Sequence, residues 1–284
     1  MTIAPFPALT CPLDNNPLQK DGSSWRCTAG HSYDIAREGY TNLLPVQNKK
    51  SRDPGDSKEM VAARRRFLNA GFYAPIANAV SRAVWESEQA GATISCLDAG
   101  CGEGYYLREL AAVTNMNDRL EVLGLDISKW AVLAAAKQDK RMSWVVGSNA
   151  NLPVESNTLD VVLCMFGFPV YGEFARVLKP DGMLLQVDSG PEHLRELREI
   201  IYPTLKPERT GVAPVPEGFD RKTTVAVRYT ITLETTEQIA DLLAMTPHLY
   251  RATAEGRARA AALTSLSVTV DVKLTTCIRT SSVS

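Results

Sequence analysis

Residues 98–104 read DAGCGEG, after the apolar run ISCL and before the helical pattern YLRELAAV. A strand that feeds a glycine loop and then a helix is built to hold a ligand. Gly100 and Gly102 let a ligand approach backbone that a side chain would block. Gly104 allows the helix to start close to the strand. The helix start offers free N–H groups and the positive end of its dipole. The spacing G-x-G-x-G is not the dinucleotide fingerprint G-x-G-x-x-G, and the Lys-Ser/Thr pair of a P-loop is missing. Asp126 closes the next apolar run, EVLGLD, where a carboxylate can accept from ribose hydroxyls. The glycines alone fit a tight strand-to-helix turn. With Asp126 they point to a nucleoside-type cofactor, with NAD as the second choice.

Two further groups of residues could carry chemistry. Cys11, Asp14, Cys27 and His31 have the spacing C-x2-D…C-x3-H. That set can ligate zinc, the carboxylate through oxygen, although a thiolate pair in place of Cys11 and Asp14 would be the stronger signal. The other reading is a metal-free module in which these side chains pack against neighbours. Between Pro45 and Arg66, Lys49, Lys50, Arg52, Lys58, Arg64, Arg65 and Arg66 face only Asp53, Asp56 and Glu59, a local excess of four positive charges in a chain of formal charge −1. Such a cluster suits a phosphate backbone, or a solvated helix face. Three consecutive arginines cannot share one face, so at least one must serve packing or ion pairing.

The elements that position these residues follow from the pattern. Residues 93–190 alternate apolar runs with helical stretches, the signature of a doubly wound parallel sheet. Before it, Ser57 is an N-cap for a helix over 58–70, and a second helix runs over about 73–89. Short strands are expected at 24–27 and 32–35. After it come a helical stretch at 191–206, a Pro/Gly-rich stretch, a strand at 224–233, a capped helix at 235–246 and one or two closing strands. The first forty residues hold little apolar matter and need a staple or a host surface. With 45% hydrophobic and 22% charged residues the chain is an ordinary globular protein, not a collagen-like or disordered one. The start MTIAPFPALT has no secretory pattern, no run reaches the length of a membrane helix, and the six scattered cysteines do not form a disulfide framework. The cytoplasm is the expected compartment, with no membrane partner.

LDAGCGEG, Asp126, GSNANLPVESNTLDVVLC and RVLKPDGMLLQV together resemble the class I S-adenosylmethionine-dependent methyltransferases. That resemblance implies a Rossmann-like, mainly parallel seven-stranded sheet. It places Asp98 near the cofactor amine, Gly100, Gly102, Glu103 and Gly104 around its methionine part, Asp126 at the ribose, and Ser148, Asn149 and Ala150 at the adenine. A narrower likeness covers almost the whole chain. The C-x3-H pair, DIAREGYTNLLPVQ, SRDPGDSKEMVAARR and GPEHLREL resemble the bacterial 23S ribosomal RNA guanine-N1 methyltransferases, in the branch that modifies G745.

This second resemblance implies a small zinc-ribbon-like module over 1–40 with ligands Cys11, Asp14, Cys27 and His31, Asp14 standing where the family has cysteine. A basic linker and helices over 41–90 and the methyltransferase domain over 91–284 follow. It sets Tyr73 and His193 against the cofactor, a ribosomal RNA hairpin loop as substrate, and a homodimer. Lys49, Lys50, Arg52, Arg64 and Arg65 are the expected RNA contacts. Phe166 and Phe168, in CMFGFPVYGEF, stack on a base or line the core edge, and Tyr105 or Tyr106 closes the cofactor mouth. His193 and Glu103 are the candidates for a general base, with Glu173 a further carboxylate in reach. The alternatives are methylation of the neighbouring G748, a small-molecule methyltransferase, and a nonenzymatic RNA-binding protein on a relict fold. Salt-dependent RNA binding separates the second from the main reading, and turnover on RNA the third.

Overall fold

The computed structural model describes residues 2–48, 51, 53–86, 93–113, 119–205 and 214–280. In chain order the strands are β1 (Thr2–Pro5), β2 (Gln19–Asp21), β3 (Ser24–Arg26), β4 (Ser32–Asp34), β5 (Tyr40–Asn42), β6 (Thr93–Ala99), β7 (Arg119–Asp126), β8 (Ser143–Val146), β9 (Leu159–Met165), β10 (Leu178–Ser189), β11 (Phe219–Leu233) and β12 (Leu266–Arg279). The helices are α1 (Lys58–Asn69), α2 (Ala74–Glu86), α3 (Tyr105–Ala112), α4 (Lys129–Gln138), α5 (Tyr171–Val177), α6 (Arg195–Ile201), α7 (Thr236–Ala244), α8 (His248–Arg251) and α9 (Ala254–Ala261).

The main sheet runs β11-β12-β10-β9-β6-β7-β8-β5, with β1 also on β7. Pairings are parallel from β5 to β10 and antiparallel at β10–β12 and β11–β12. This is the class I methyltransferase fold, and its seven expected strands are the last seven in the chain. Two more come from the N-terminal stretch. Thr2–Pro5 pairs with Arg119–Val122, and β8 pairs with Leu123–Asp126, so β1 and β8 lie end to end along β7. The first forty residues do find a host surface: Phe6, Leu9, Leu18 and Cys27 pack with Leu97, Leu125 and Val145 on one sheet face.

Local sequence accounts for the elements. Six of seven β6 positions are buried, as in a strand covered on both faces. Ser57, Ser128 and Thr235 cap α1, α4 and α7 by accepting from Met60, Ala131 and Gln238 backbone N–H groups. Trp144 fixes how the glycine loop meets the sheet. A Cβ on Gly104 would stand 2.6 Å from its ring, and one on Gly124 closer still, while its Nε1 donates to the Asp139 carbonyl at 2.6 Å. Trp144→Ala is therefore expected to lower stability by about 3–5 kcal/mol. Urea unfolding measures it, and a loss below about 1 kcal/mol would contradict this packing.

Candidate active site and metal centre

A cavity of about 400 Å³ opens at the C-terminal ends of the parallel strands, where open α/β sheets bind ligands. The glycine loop forms its floor. Gly100, Gly102 and Gly104 all have positive φ, at 106°, 55° and 83°. The space over Gly100 is empty to 4 Å. Gly104 differs from the expectation: its missing Cβ makes room for Trp144, so it serves the packing of α3 rather than lining the cavity. Asp126 stands beside the loop, accepting from the Gly102 and Ser128 backbone N–H groups at 2.9 and 2.8 Å. Ser148, Asn149 and Ala150 follow β8. Asn149 Nδ2 donates to the Ala99 carbonyl at 3.2 Å, which ties this loop to the end of β6, and its buried Oδ1 has no hydrogen-bond partner among the described residues.

Asp98 is fully buried, and neither carboxylate oxygen has a hydrogen-bond partner among the described residues. Strand alternation puts it on the same face as Ile94 and Cys96, in the layer that contains Tyr73 and Tyr106. Burial, with the neighbouring Asp126 charge, pushes its carboxyl up to about 8. An orphaned acid behind a glycine loop needs a cationic or hydrogen-donating ligand. The α-amino group of S-adenosylmethionine meets that need, so the residues present fit this cofactor.

Part of the cavity lining is aromatic. Phe166 and His193 stack with centroids 5.9 Å apart and planes 28° apart, and Tyr73 lies 6.1 Å from Phe166. Phe166, at the end of β9, holds a left-handed φ of 53° and stays partly exposed. Such strain in a bulky residue gathers at functional sites. Phe168 is 90% exposed and so does not line the core edge. Tyr106 lines the cavity, with Tyr105 edge-on beside it.

Neither residue expected to act as a base has a base's surroundings. The Glu103 side chain is wholly buried and receives Arg108 Nη1 and Nη2 at 3.1 and 3.3 Å and Gln138 Nε2 at 2.5 Å. It braces the loop. His193 Nδ1 accepts from the Asp271 backbone N–H at 3.3 Å, which leaves the proton of the neutral ring on Nε2, 3.3 Å from Tyr73 Oη. Burial lowers its pKa to about 4. The ring is neutral near pH 7, and its Nε2 proton is directed at Tyr73 Oη, so it turns no free lone pair to the cavity. Glu173 is likewise engaged, by Arg176 and the Leu152 N–H.

The arginine run divides as its spacing requires. Arg66 pairs with Asp241 through two hydrogen bonds of 2.9 and 2.5 Å. Arg65 is exposed and makes no hydrogen bond or ion pair among the described residues. Arg64, expected on RNA, instead turns into the cavity wall, held by Asp56 at 2.6 Å and the Met245 carbonyl at 3.0 Å. Lys49, Lys50 and Arg52 lie outside the described residues. Arg198, Thr246, His248 and Arg251 also line the cavity and escaped the sequence reading, because neither α6 nor the stretch after α7 carries a local motif.

At the N-terminus the four expected ligands converge, all ligand atoms within 4.8 Å of one another. His31 Nδ1 is 3.0 Å from Asp14 Oδ2 and 3.4 Å from each of Cys11 and Cys27 Sγ, and Cys27 Sγ is 3.4 Å from Asp14 Oδ2. A tetrahedral ion about 2.0–2.3 Å from each ligand separates them by roughly 3.3–3.8 Å. The donor set S2NO fits zinc. Four protein ligands would leave no position open for water or substrate, so a zinc ion held here would be structural.

Comparison with known proteins agrees with both halves. Residues 9–52 match the family model described as "RlmA, N-terminal", a zinc ribbon, and residues 96–182 match the methyltransferase domain model. The YxjB protein of Bacillus subtilis (strain 168), named for 23S rRNA (guanine-N(1)-) methylation, is 33% identical over 277 residues, 95% of this chain and 96% of its own. The chain belongs to the 23S rRNA (guanine-N1)-methyltransferase family. Two further relatives share the family's name. One from Micromonospora griseorubida is 40% identical over 68% of this chain and 69% of its own. One from Streptomyces fradiae, named for guanine 748, is 36% identical over 66% of each chain. Among the described residues no helix is long and apolar enough to cross a membrane.

Proposed function

We propose that this protein transfers a methyl group from S-adenosylmethionine to N1 of a guanine in a hairpin loop of 23S ribosomal RNA, at position 745. The aromatic wall of Phe166, His193 and Tyr73 beside the glycine loop carries this reading, because it gives a flat, apolar seat for a swung-out purine. A second reading, position 748, is favoured by the name of the Streptomyces fradiae relative.

S-adenosylmethionine, when bound, supplies an electrophilic methyl group on a sulfonium. Gly100, Gly102 and Asp98 hold its amino-acid end, Asp126 its ribose, and Ser148 to Ala150 its adenine. Phe166 and Tyr73 orient the base, which leaves catalysis mainly to positioning, and the N1 proton of the guanine passes to solvent before or as the methyl group moves from sulfur to nitrogen. His193, neutral, donates from Nε2 and orients. Phe168 and Arg65, with Lys49, Lys50 and Arg52, meet the RNA. The division of labour is a zinc module over 1–40 that grips RNA, a basic linker over 41–90 and the catalytic domain over 91–284. Zinc on Cys11, Asp14, Cys27 and His31 shapes the module, and two copies in the cytoplasm frame one RNA cleft.

Labelled methyl transfer to unmodified 23S rRNA, with quinones and fatty acids as competing acceptors, tests this reading. Transfer to the RNA alone is the expected result, and transfer only to a small molecule would overturn it. His193→Ala is expected to slow the reaction 10–100-fold, with partial recovery in His193→Gln, which keeps a donor. A rate limb near pH 6.5 that vanishes in His193→Gln would contradict the neutral-donor role.

A further inference from the structure

We propose that Arg64 binds the α-carboxylate of the cofactor's methionine part and so forms, with Asp98, a paired recognition site for an amino-acid zwitterion. The inference rests on the reading of the cavity as an S-adenosylmethionine site. It reassigns the one member of the arginine run that leaves the surface for the cavity.

Arg64 reaches the loop from α1. Its Cδ stands 3.5 Å from the position a Cβ would take on Gly102, so the guanidinium carbon chain lies across the glycine floor. Nη2 is fixed by Asp56 and the Met245 carbonyl. Nε is buried and has no hydrogen-bond partner among the described residues. A buried guanidinium N–H without an acceptor is costly, and a carboxylate is its best-matched ligand. The Asp98 carboxylate is the complementary orphan, buried at the end of β6 where the glycine loop begins. These two orphans, a donor reaching across the glycine floor from α1 and an acid at the end of β6, match the carboxylate and the ammonium of one α-amino acid. The Arg64 charge also reaches the surrounding groups, opposing the rise that burial imposes on Tyr73, Tyr106 and Asp126.

Arg198 and Arg251 are weaker candidates for this role. Arg198 Nη1 already donates to the Pro191 and His193 carbonyls, and Arg251 is exposed. The Asp56 contact has a second consequence. Ser128 Oγ donates to the Asp56 carbonyl at 2.7 Å, so the turn at 53–56 is pinned to the start of α4 and carries Arg64's anchor with it.

The test is calorimetric binding of two ligands, without RNA. S-adenosylhomocysteine carries the amino-acid end, and 5′-methylthioadenosine lacks it. Wild-type protein is expected to bind the first at least tenfold more tightly than the second. Arg64→Gln should weaken S-adenosylhomocysteine tenfold or more and leave methylthioadenosine within twofold. Arg64→Lys, which keeps a charge, should recover part of the loss. Equal weakening of both ligands in Arg64→Gln, or no change in either, would overturn the proposal while leaving the cofactor reading intact. Failure of wild-type protein to bind either ligand would overturn both.

Discussion

Asp98→Asn is expected to stabilise the ligand-free protein at pH 8 and to weaken cofactor binding at least 100-fold. Both effects come from the same atoms. The carboxyl group is buried without a hydrogen-bond partner among the described residues, and burial holds its pKa near 8 against 3.8 for a free side chain. Between those values the folded protein keeps a proton that the unfolded chain releases. This group's contribution to stability is therefore fully present below about pH 4 and falls as pH rises towards 8. The full difference is of the order of 5–6 kcal/mol. Asn cannot ionise, so the variant escapes that loss. Its advantage over wild type should be small at pH 5 and grow towards pH 8. His193 acts with the opposite sign, because its pKa is lowered to about 4: its contribution is present above about 6.5 and lost as pH falls. That slope is common to both proteins and cancels in the comparison. Chemical unfolding at the two pH values measures the gap. A gap independent of pH, or unchanged cofactor affinity, would contradict the role given to Asp98.

Cys27→Ser is expected to reduce bound zinc from about one ion per chain to less than a tenth. Cys27 Sγ lies within 3.4 Å of both His31 and Asp14, and the set contains only one other thiolate, on Cys11. Losing one of two soft ligands leaves a set that a modest chelator can strip, since thiolates carry much of zinc's affinity for such sites. The effect should spread beyond the centre. Cys11 and Cys27 pack with Phe6, Leu9 and Leu18 against the sheet, so release of the metal loosens that face and lowers the unfolding temperature. Asp14→Cys should act the other way and raise zinc affinity tenfold or more. Elemental analysis with chelator competition reads both variants. Stoichiometric zinc in Cys27→Ser would refute the ligand set.

What could be read from the sequence was local. The glycine loop, Asp126, the Ser57 and Thr235 caps and the four converging ligands each depend on residues within a few positions of one another or on a recognisable spacing. What escaped depends on distant partners. Thr2–Pro5 looks like a loose terminus until β7 offers it a parallel edge. Arg64 reads as an RNA contact until Met245, in the loop after α7, and Asp56 hold it inward. Glu103 and His193 have the chemistry of bases in the sequence. Their partners, Arg108 with Gln138 and the Asp271 N–H, turn one into a brace and the other into a donor. The wall formed by Arg198, His248 and Arg251 comes from two helices that the chain order keeps apart.

The most direct measurement is methylation of unmodified 23S ribosomal RNA by the purified full chain, with the product nucleotide identified and mapped by mass spectrometry. N1-methylguanosine at position 745 is the predicted result, and the same nucleoside at 748 would keep the reaction and correct the position. No methyl transfer to the RNA, from folded protein that binds S-adenosylhomocysteine, would contradict the account.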